Sequence, residues 1–179
     1  MSRWFRSYGF ADVFDNLVVG AYPLDQRDVA ALAGAGVERV LNLTEDMEYQ
    51  PGDRQSVMAA LAAAGIEERR LPLTDYGGLP PEAIDAAVKQ VTAWLDDGAR
   101  TYVHCRAGWQ RSAAVAAAVV AVRAGIEIDE ALDCVQRRKP SADPLPHQRE
   151  DLRRWWARRA DGPRPGSGAP GDWPESIGE

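Results

Sequence analysis

The sequence predicts an α/β protein, with a central, mostly parallel, twisted sheet flanked by helices and an all-helical C-terminal half. Three observations carry that prediction. Strand and helix patterns alternate as far as His104, and beyond it every apolar pattern is helical. The run with the most chemistry, residues 104–112, joins the last strand pattern to the first of those later helices.

In chain order, Tyr8 to Phe14 is expected to pair as an edge with a first strand over Leu17–Ala21. Helix patterns over Asp25–Ala35, Asp53–Ala64 and Pro81–Asp97 then alternate with strand patterns over Val37–Leu43, Ile66–Leu73 and Arg100–His104. Ser112–Ala124 is small, apolar and free of breakers, so it reads as a helix. Asp129–Arg138 reads as a helix opened by an aspartate cap. Its basic run Gln136-Arg137-Arg138-Lys139 closes at Pro140, where cations complement the dipole. The last helix, Pro146–Ala160, carries Trp155 and Trp156 as anchors, with arginines facing water. Residues 1–160 are expected to form a single domain, and the Gly- and Pro-rich stretch 161–179 a flexible tail.

A chain of 179 residues is long enough for one core and short for two. Apolar content of 45% and charged content of 27% are ordinary for a globular protein. A net charge of -6 argues against nucleic acid or an anionic membrane as partner. The N-terminus shows no signal pattern and no run approaches bilayer length, so a cytoplasmic protein is expected. Two cysteines 29 positions apart make no disulfide framework. Cys134 reads as a small buried hydrophobe, with a resolving thiol for an oxidised Cys105 as the alternative.

The run His104-Cys105-Arg106-Ala107-Gly108-Trp109-Gln110-Arg111-Ser112 sets a cysteine six positions before an arginine. A loop between a strand end and a helix start gathers unpaired N–H groups around one point, and the helix dipole adds positive potential. The thiolate is the nucleophilic form of cysteine, and a helix N-terminus and a nearby cation both favour it. The sequence offers Cys105 the helix beginning near Ser112 and the Arg111 cation. The planar fork of Arg111 suits two phosphate oxygens. Gly108 can take positive φ and let the backbone approach an anion. The amides of Arg106, Ala107, Gly108, Trp109, Gln110 and Arg111 form the expected phosphate cradle. Ser112 can donate to the sulfur, and His104 is placed to fix the loop. The chemistry indicated is phosphoryl transfer to a thiolate.

From His104-Cys105 to Arg111-Ser112 the run resembles the His-Cys-x5-Arg-Ser/Thr signature of the cysteine-dependent protein tyrosine phosphatase superfamily. Size and layout resemble its dual-specificity branch, over roughly Asn16 to Trp156. The resemblance implies hydrolysis of phosphotyrosine, with phosphoserine or phosphothreonine as further substrates, through a cysteinyl-phosphate. No metal or cofactor is implied, since Arg111 and the amides supply the positive charge. The expected partner is a phosphorylated protein or small phosphomonoester, and the expected state a monomer.

A departing alkoxide or phenoxide needs an acid, and the family carries an aspartate for this on a mobile loop some thirty residues before the cysteine. Asp75 matches, in the Gly- and Pro-rich loop Leu71 to Pro81, with Asp85 as rival inside the next helix. Gln148 falls near a water-positioning glutamine of some members, although a solvated first-turn residue is the simpler reading. His147 reads as surface. Trp109 either packs beneath the cradle or borders its mouth. Trp4-Phe5-Arg6-Ser7-Tyr8 is either a pocket wall or core. Arg106 is the one basic residue within the x5 segment, which disfavours a highly phosphorylated lipid, though Arg69 and Arg70 keep a phosphoinositide alternative open. The other alternative is a phosphatase-like module that binds phosphorylated partners without turnover.

Overall fold

A computed structural model describes residues 1–160; the tail expected over 161–179 lies outside the described residues. Strands β1 (Phe10–Phe14), β2 (Leu17–Ala21), β3 (Arg39–Asn42), β4 (Glu67–Arg70) and β5 (Thr101–Cys105) form a sheet of order β1-β2-β5-β3-β4. β1 pairs antiparallel with β2, as a hairpin edge should, and the remaining pairs are parallel. Every residue of β2 and β5 is buried, the pattern of parallel strands covered on both faces.

Alternation along those strands sorts the core into two layers. Leu17, Val19, Leu41, Val103 and Cys105 face one apolar cluster; Val18, Val40 and Tyr102 face the other. The first is covered by helices α4 (Pro81–Asp96), α5 (Arg111–Ala124), α6 (Ile128–Arg138) and α7 (Pro146–Ala160). The second is covered by α1 (Arg3–Tyr8), α2 (Gln26–Gly34) and α3 (Asp53–Ala63). α5 is buried all round from Arg111 to Ala121, which its alanines permit by letting neighbours come close.

Register places the carboxyl ends of the central strands together, with Ala21 opposite Cys105 and Asn42 opposite His104. Ligands of such sheets gather at that edge.

Several expectations need correction. The apolar pattern Ile66–Leu73 contributes only Glu67–Arg70 to the ladder, and these four charged residues blunt the sheet edge. The N-terminal aromatics form α1, with Phe5 in the core. It is capped by Ser2, whose Oγ accepts from the Phe5 N–H and donates to buried Asp28 at 2.7 Å. Asp129 does not cap α6: Glu127 holds that position, and Asp129 pairs with Arg153 of α7 at 2.7 Å. Lys139 is buried, with its Nζ donating to Tyr8 O at 3.1 Å and Ser141 Oγ at 2.9 Å, so it ties α1 to the end of α6. Trp155 anchors α7 as expected, donating its Nε1–H to Asp85 Oδ1 at 2.8 Å.

Candidate active site

Cys105 ends β5, and Arg111 begins α5, whose N-terminus has no side-chain cap. The loop between them is held against β2, because the Tyr22 N–H donates to Arg106 O at 3.1 Å. At Gly108 φ is +74°, and a Cβ there would lie 2.5 Å from Gly20 C, so no other residue fits. Ser112 Oγ stands 3.3 Å from Cys105 Sγ, within hydrogen-bond range of sulfur. His104 is buried, and its Nδ1 meets Cys105 O at 3.3 Å, which requires the proton on Nδ1. Burial lowers its pKa to about 3, with the Arg54, Arg111 and Arg70 cations adding to the effect against the backbone hydrogen bond, so the ring is neutral. The ring's one hydrogen bond among the described residues is to the backbone of Cys105, where the loop begins.

Arg111 is the electrostatic centre. Its side chain is 1% exposed and faces Glu48, itself 5% exposed. Nη1 donates to Glu48 Oε1 at 2.7 Å and Nη2 to Glu48 Oε2 at 2.8 Å, a bidentate pair. Nη1 also donates to Leu73 O at 2.8 Å and Leu43 O at 3.3 Å. Burial alone would lower the Arg111 pKa; the Glu48 hydrogen bond and the charges of Cys105, Glu48 and Asp75 outweigh it and raise the value. Arg111 Nε is buried without a hydrogen-bond partner, a donor left for a ligand.

Glu48 is the residue that sequence reasoning missed. It lies on a one-turn 3₁₀ helix, Asp46–Glu48, just after β3, and shares a reciprocal capping box with Glu45. The Glu45-x-x-Glu48 spacing was the available signal.

Asp75 reaches the same cation, with Oδ1 2.8 Å from Arg111 Nη2. Its backbone N–H donates to Glu45 Oε2 at 3.3 Å. Asp85, the rival, is turned away: its side chain is 56% exposed and engaged by Trp155 and Arg159 of α7.

A pocket of about 330 Å³ opens over this floor, bordered by Asp75 and Tyr76 on one side and Trp4 and Tyr8 on the other. Trp109 borders the mouth rather than packing beneath the cradle. It is 42% exposed, with its ring 5.2 Å from that of Tyr8. The Arg106 guanidinium lies 6.0 Å from the Trp4 ring centroid, a cation–π distance. The N-terminal aromatic segment is therefore wall and core at once. Arg69 and Arg70 do not line the pocket; they pair with Glu67 and Asp46.

Gln148 is a correction to the solvated reading. It is fully buried, donates Nε2–H to Gly77 O at 3.0 Å and accepts from the Leu145 N–H at 3.1 Å. His147 is exposed as expected, yet its Nε2 also meets Gly77 O at 3.1 Å. Both cysteines are free; Cys134 is half-buried and its sulfur accepts from Arg137 Nη2 at 3.0 Å. Among the described residues, no group of three His, Cys, Asp or Glu side chains is arranged to hold a metal.

The chain is similar in sequence and fold to known phosphatases. The mouse phosphatidylglycerophosphatase and protein-tyrosine phosphatase 1 is 27% identical over 138 residues, 76% of this chain and 70% of that protein. Human dual specificity phosphatase 28 is 31% identical over 119 residues, 64% of this chain and 60% of the relative's length. The crystal structure of PTPMT1 superposes with a TM-score of 0.73 at 25% identity, covering 86% of this chain and all 100% of that one. The model of the dual specificity phosphatase catalytic domain matches residues 18–158, and the chain belongs to that family.

Proposed function

We propose that this phosphatase cleaves phosphate monoesters by two in-line displacements, with Cys105 as nucleophile, Arg111 as clamp and Asp75 as acid, then base. The loop amides and the unpartnered Nε of Arg111 receive the phosphoryl oxygens, a cradle aimed at the charge that spreads over them in the transition state. Cys105 Sγ forms a bond to phosphorus as the ester P–O bond breaks. The departing oxygen takes its proton from Asp75. Water then attacks the thiophosphate, giving a proton to the Asp75 carboxylate, and the P–S bond breaks. Ser112 Oγ, 3.3 Å from the sulfur, donates to the leaving thiolate. Inorganic phosphate departs.

The observation that carries this reading is the convergence on Arg111. The Asp75 carboxylate meets it at 2.8 Å on the rim of a pocket whose floor is Cys105. Presence of all three groups argues for turnover over a module that only binds. Trp4, Tyr8 and Trp109 favour an aromatic ester, phosphotyrosine, because flat rings stack on such walls. Arg106 and Arg111 are the cations of the pocket lining, which suits a single phosphate better than a highly phosphorylated lipid. A lipid monophosphate keeps support from the mouse relative, whose name joins a lipid phosphatase with a protein-tyrosine phosphatase. Action in the reducing cytoplasm is supported by the free thiols of Cys105 and Cys134.

The test is phosphate release from p-nitrophenyl phosphate in excess EDTA by the wild type and by Cys105→Ser. Turnover abolished by the substitution is expected. Equal release by the two proteins refutes the nucleophile, and no release by folded, reduced wild type refutes the turnover reading.

A further inference from the structure

Tyr76 stands at φ +57°, the one non-glycine residue with positive φ among those described. It directly follows Asp75, and it is 67% exposed, so packing of its own ring contributes little to holding it there. A bulky L residue keeps such a conformation only where its surroundings over-determine it, and such strain collects at functional sites. The turn it makes is tight: the Gly77 N–H donates to Thr74 O at 2.9 Å, and a Cβ at Gly77 would lie 2.9 Å from that of Thr74.

What holds the turn comes from the start of α7. Gly77 O accepts from Gln148 Nε2 at 3.0 Å and meets His147 Nε2 at 3.1 Å. The Leu79 N–H donates to Asp151 Oδ2 at 2.8 Å. Gln148 cannot turn away freely, because its Oε1 is bound to the Leu145 N–H and the whole side chain is buried. Asp151 is steadied by an ion pair with Arg154. On the other side of Asp75, the Leu73 N–H donates to Leu43 O at 3.0 Å and the Asp75 N–H to Glu45. The glycine- and proline-rich segment, whose composition suits a swinging loop, is thus clamped at both ends.

We propose that the first turns of α7 form a latch that holds the Asp75 loop closed over Cys105, with Gln148 and Asp151 as positioning residues for the proton transfer. The proposal rests on Asp75 being the acid. Positioning acts where the leaving oxygen needs a proton. It is needed most by a phenol of pKa about 10, like tyrosine, and less by the more acidic p-nitrophenol.

The experiment measures kcat and KM on phenyl phosphate and p-nitrophenyl phosphate for wild type, Asp75→Asn, Gln148→Ala, Asp151→Ala, Asp151→Asn and the double variant Asp75→Asn with Asp151→Ala. Asp151→Ala is expected to lower kcat/KM on phenyl phosphate about tenfold, with kcat/KM on p-nitrophenyl phosphate changed less than about twofold. Asp151→Asn keeps an acceptor for the Leu79 N–H and is expected to restore the rate. In the double variant Asp151→Ala should cost nothing beyond Asp75→Asn, because both act through one proton. Equal loss of kcat/KM on the two substrates, further loss in the double variant, or no change in kcat/KM for Asp151→Ala overturns the latch. Asp75→Asn losing no more on phenyl phosphate than on p-nitrophenyl phosphate overturns the acid assignment itself, and the latch with it. Asp151 is partly exposed where Gln148 is fully buried, so its variants decide the matter even where Gln148→Ala fails to fold.

Discussion

Replacing Glu48 by glutamine tests the electrostatic centre most directly. Glu48 gives Arg111 two charge-assisted hydrogen bonds, at 2.7 and 2.8 Å, with both side chains nearly excluded from water. Glutamine keeps one acceptor, turns an N–H₂ toward the other guanidinium nitrogen, and removes the negative charge. Breaking a buried pair by deleting one partner costs about 3–5 kcal/mol where nothing else compensates the stranded charge. Here the Asp75 carboxylate at 2.8 Å and the carbonyls of Leu43 and Leu73 remain, so the cost is smaller, about 2–3 kcal/mol. For a chain of this size that lowers Tm by roughly 4–12 °C. The guanidinium plane loses its second point of attachment, so kcat/KM on p-nitrophenyl phosphate should fall by about 10- to 100-fold, equivalent to about 1.4–2.7 kcal/mol of transition-state stabilisation. Thermal unfolding followed by circular dichroism, with steady-state kinetics on the same preparation, measures both. A Tm within about 1 °C of wild type together with unchanged kcat/KM would refute the claim that Glu48 holds the clamp.

Three further outcomes are expected. His104 has a folded pKa lowered to about 3 against an unfolded value of 6.5, so the unfolded state binds the extra proton between those pH values. Stability contributed by the neutral ring is therefore complete above pH 6.5 and lost as pH falls toward about 3. Urea midpoints between pH 7 and 4 should drop in wild type, and the slope should flatten in His104→Asn. Gly108→Ala drives a Cβ to 2.5 Å from the backbone of Gly20 at positive φ, and should raise the dissociation constant for inorganic phosphate at least tenfold by isothermal calorimetry. Ser112→Ala leaves the sulfur without the donor at 3.3 Å, so breakdown of the phosphoenzyme should become limiting and a stopped-flow burst of p-nitrophenol should appear. A linear time course in that variant would show that Ser112 does not serve the second step.

The parts of the molecule legible from sequence are those whose cause is local. Val18-Val19 and Tyr102-Val103 announce buried strands because a parallel strand needs apolar residues on both faces. Cys105, Gly108, Arg111 and Ser112 lie in one short run from the end of β5 to the start of α5, so spacing alone brings them together. Glu48 lies 63 positions from Arg111, and Gln148 lies 71 from Gly77. A carboxylate or amide destined for burial carries no local mark that separates it from a solvated one. The same reason hid α1, whose Ser2 cap is fixed by Asp28, 26 residues away, and the shortness of β4, whose flanking Ile66 and Leu73 bury against the domain without joining the ladder.

Those long-range contacts are what turn a motif into a site. A cysteine and an arginine six apart can curl around an anion, but the guanidinium has rotamer freedom that a phosphate must overcome on binding. Glu48 removes that freedom in advance by taking one N–H from each terminal nitrogen, and the Leu43 and Leu73 carbonyls hold Nη1 from the segments that follow β3 and β4. Nε stays unpartnered and Nη2 is shared with Asp75. A phosphoryl group received on that edge must meet the Asp75 carboxyl at the nitrogen they share. The cation that binds the phosphate therefore also fixes where the proton is delivered, and a change that tilts Arg111 should damage binding and proton transfer together.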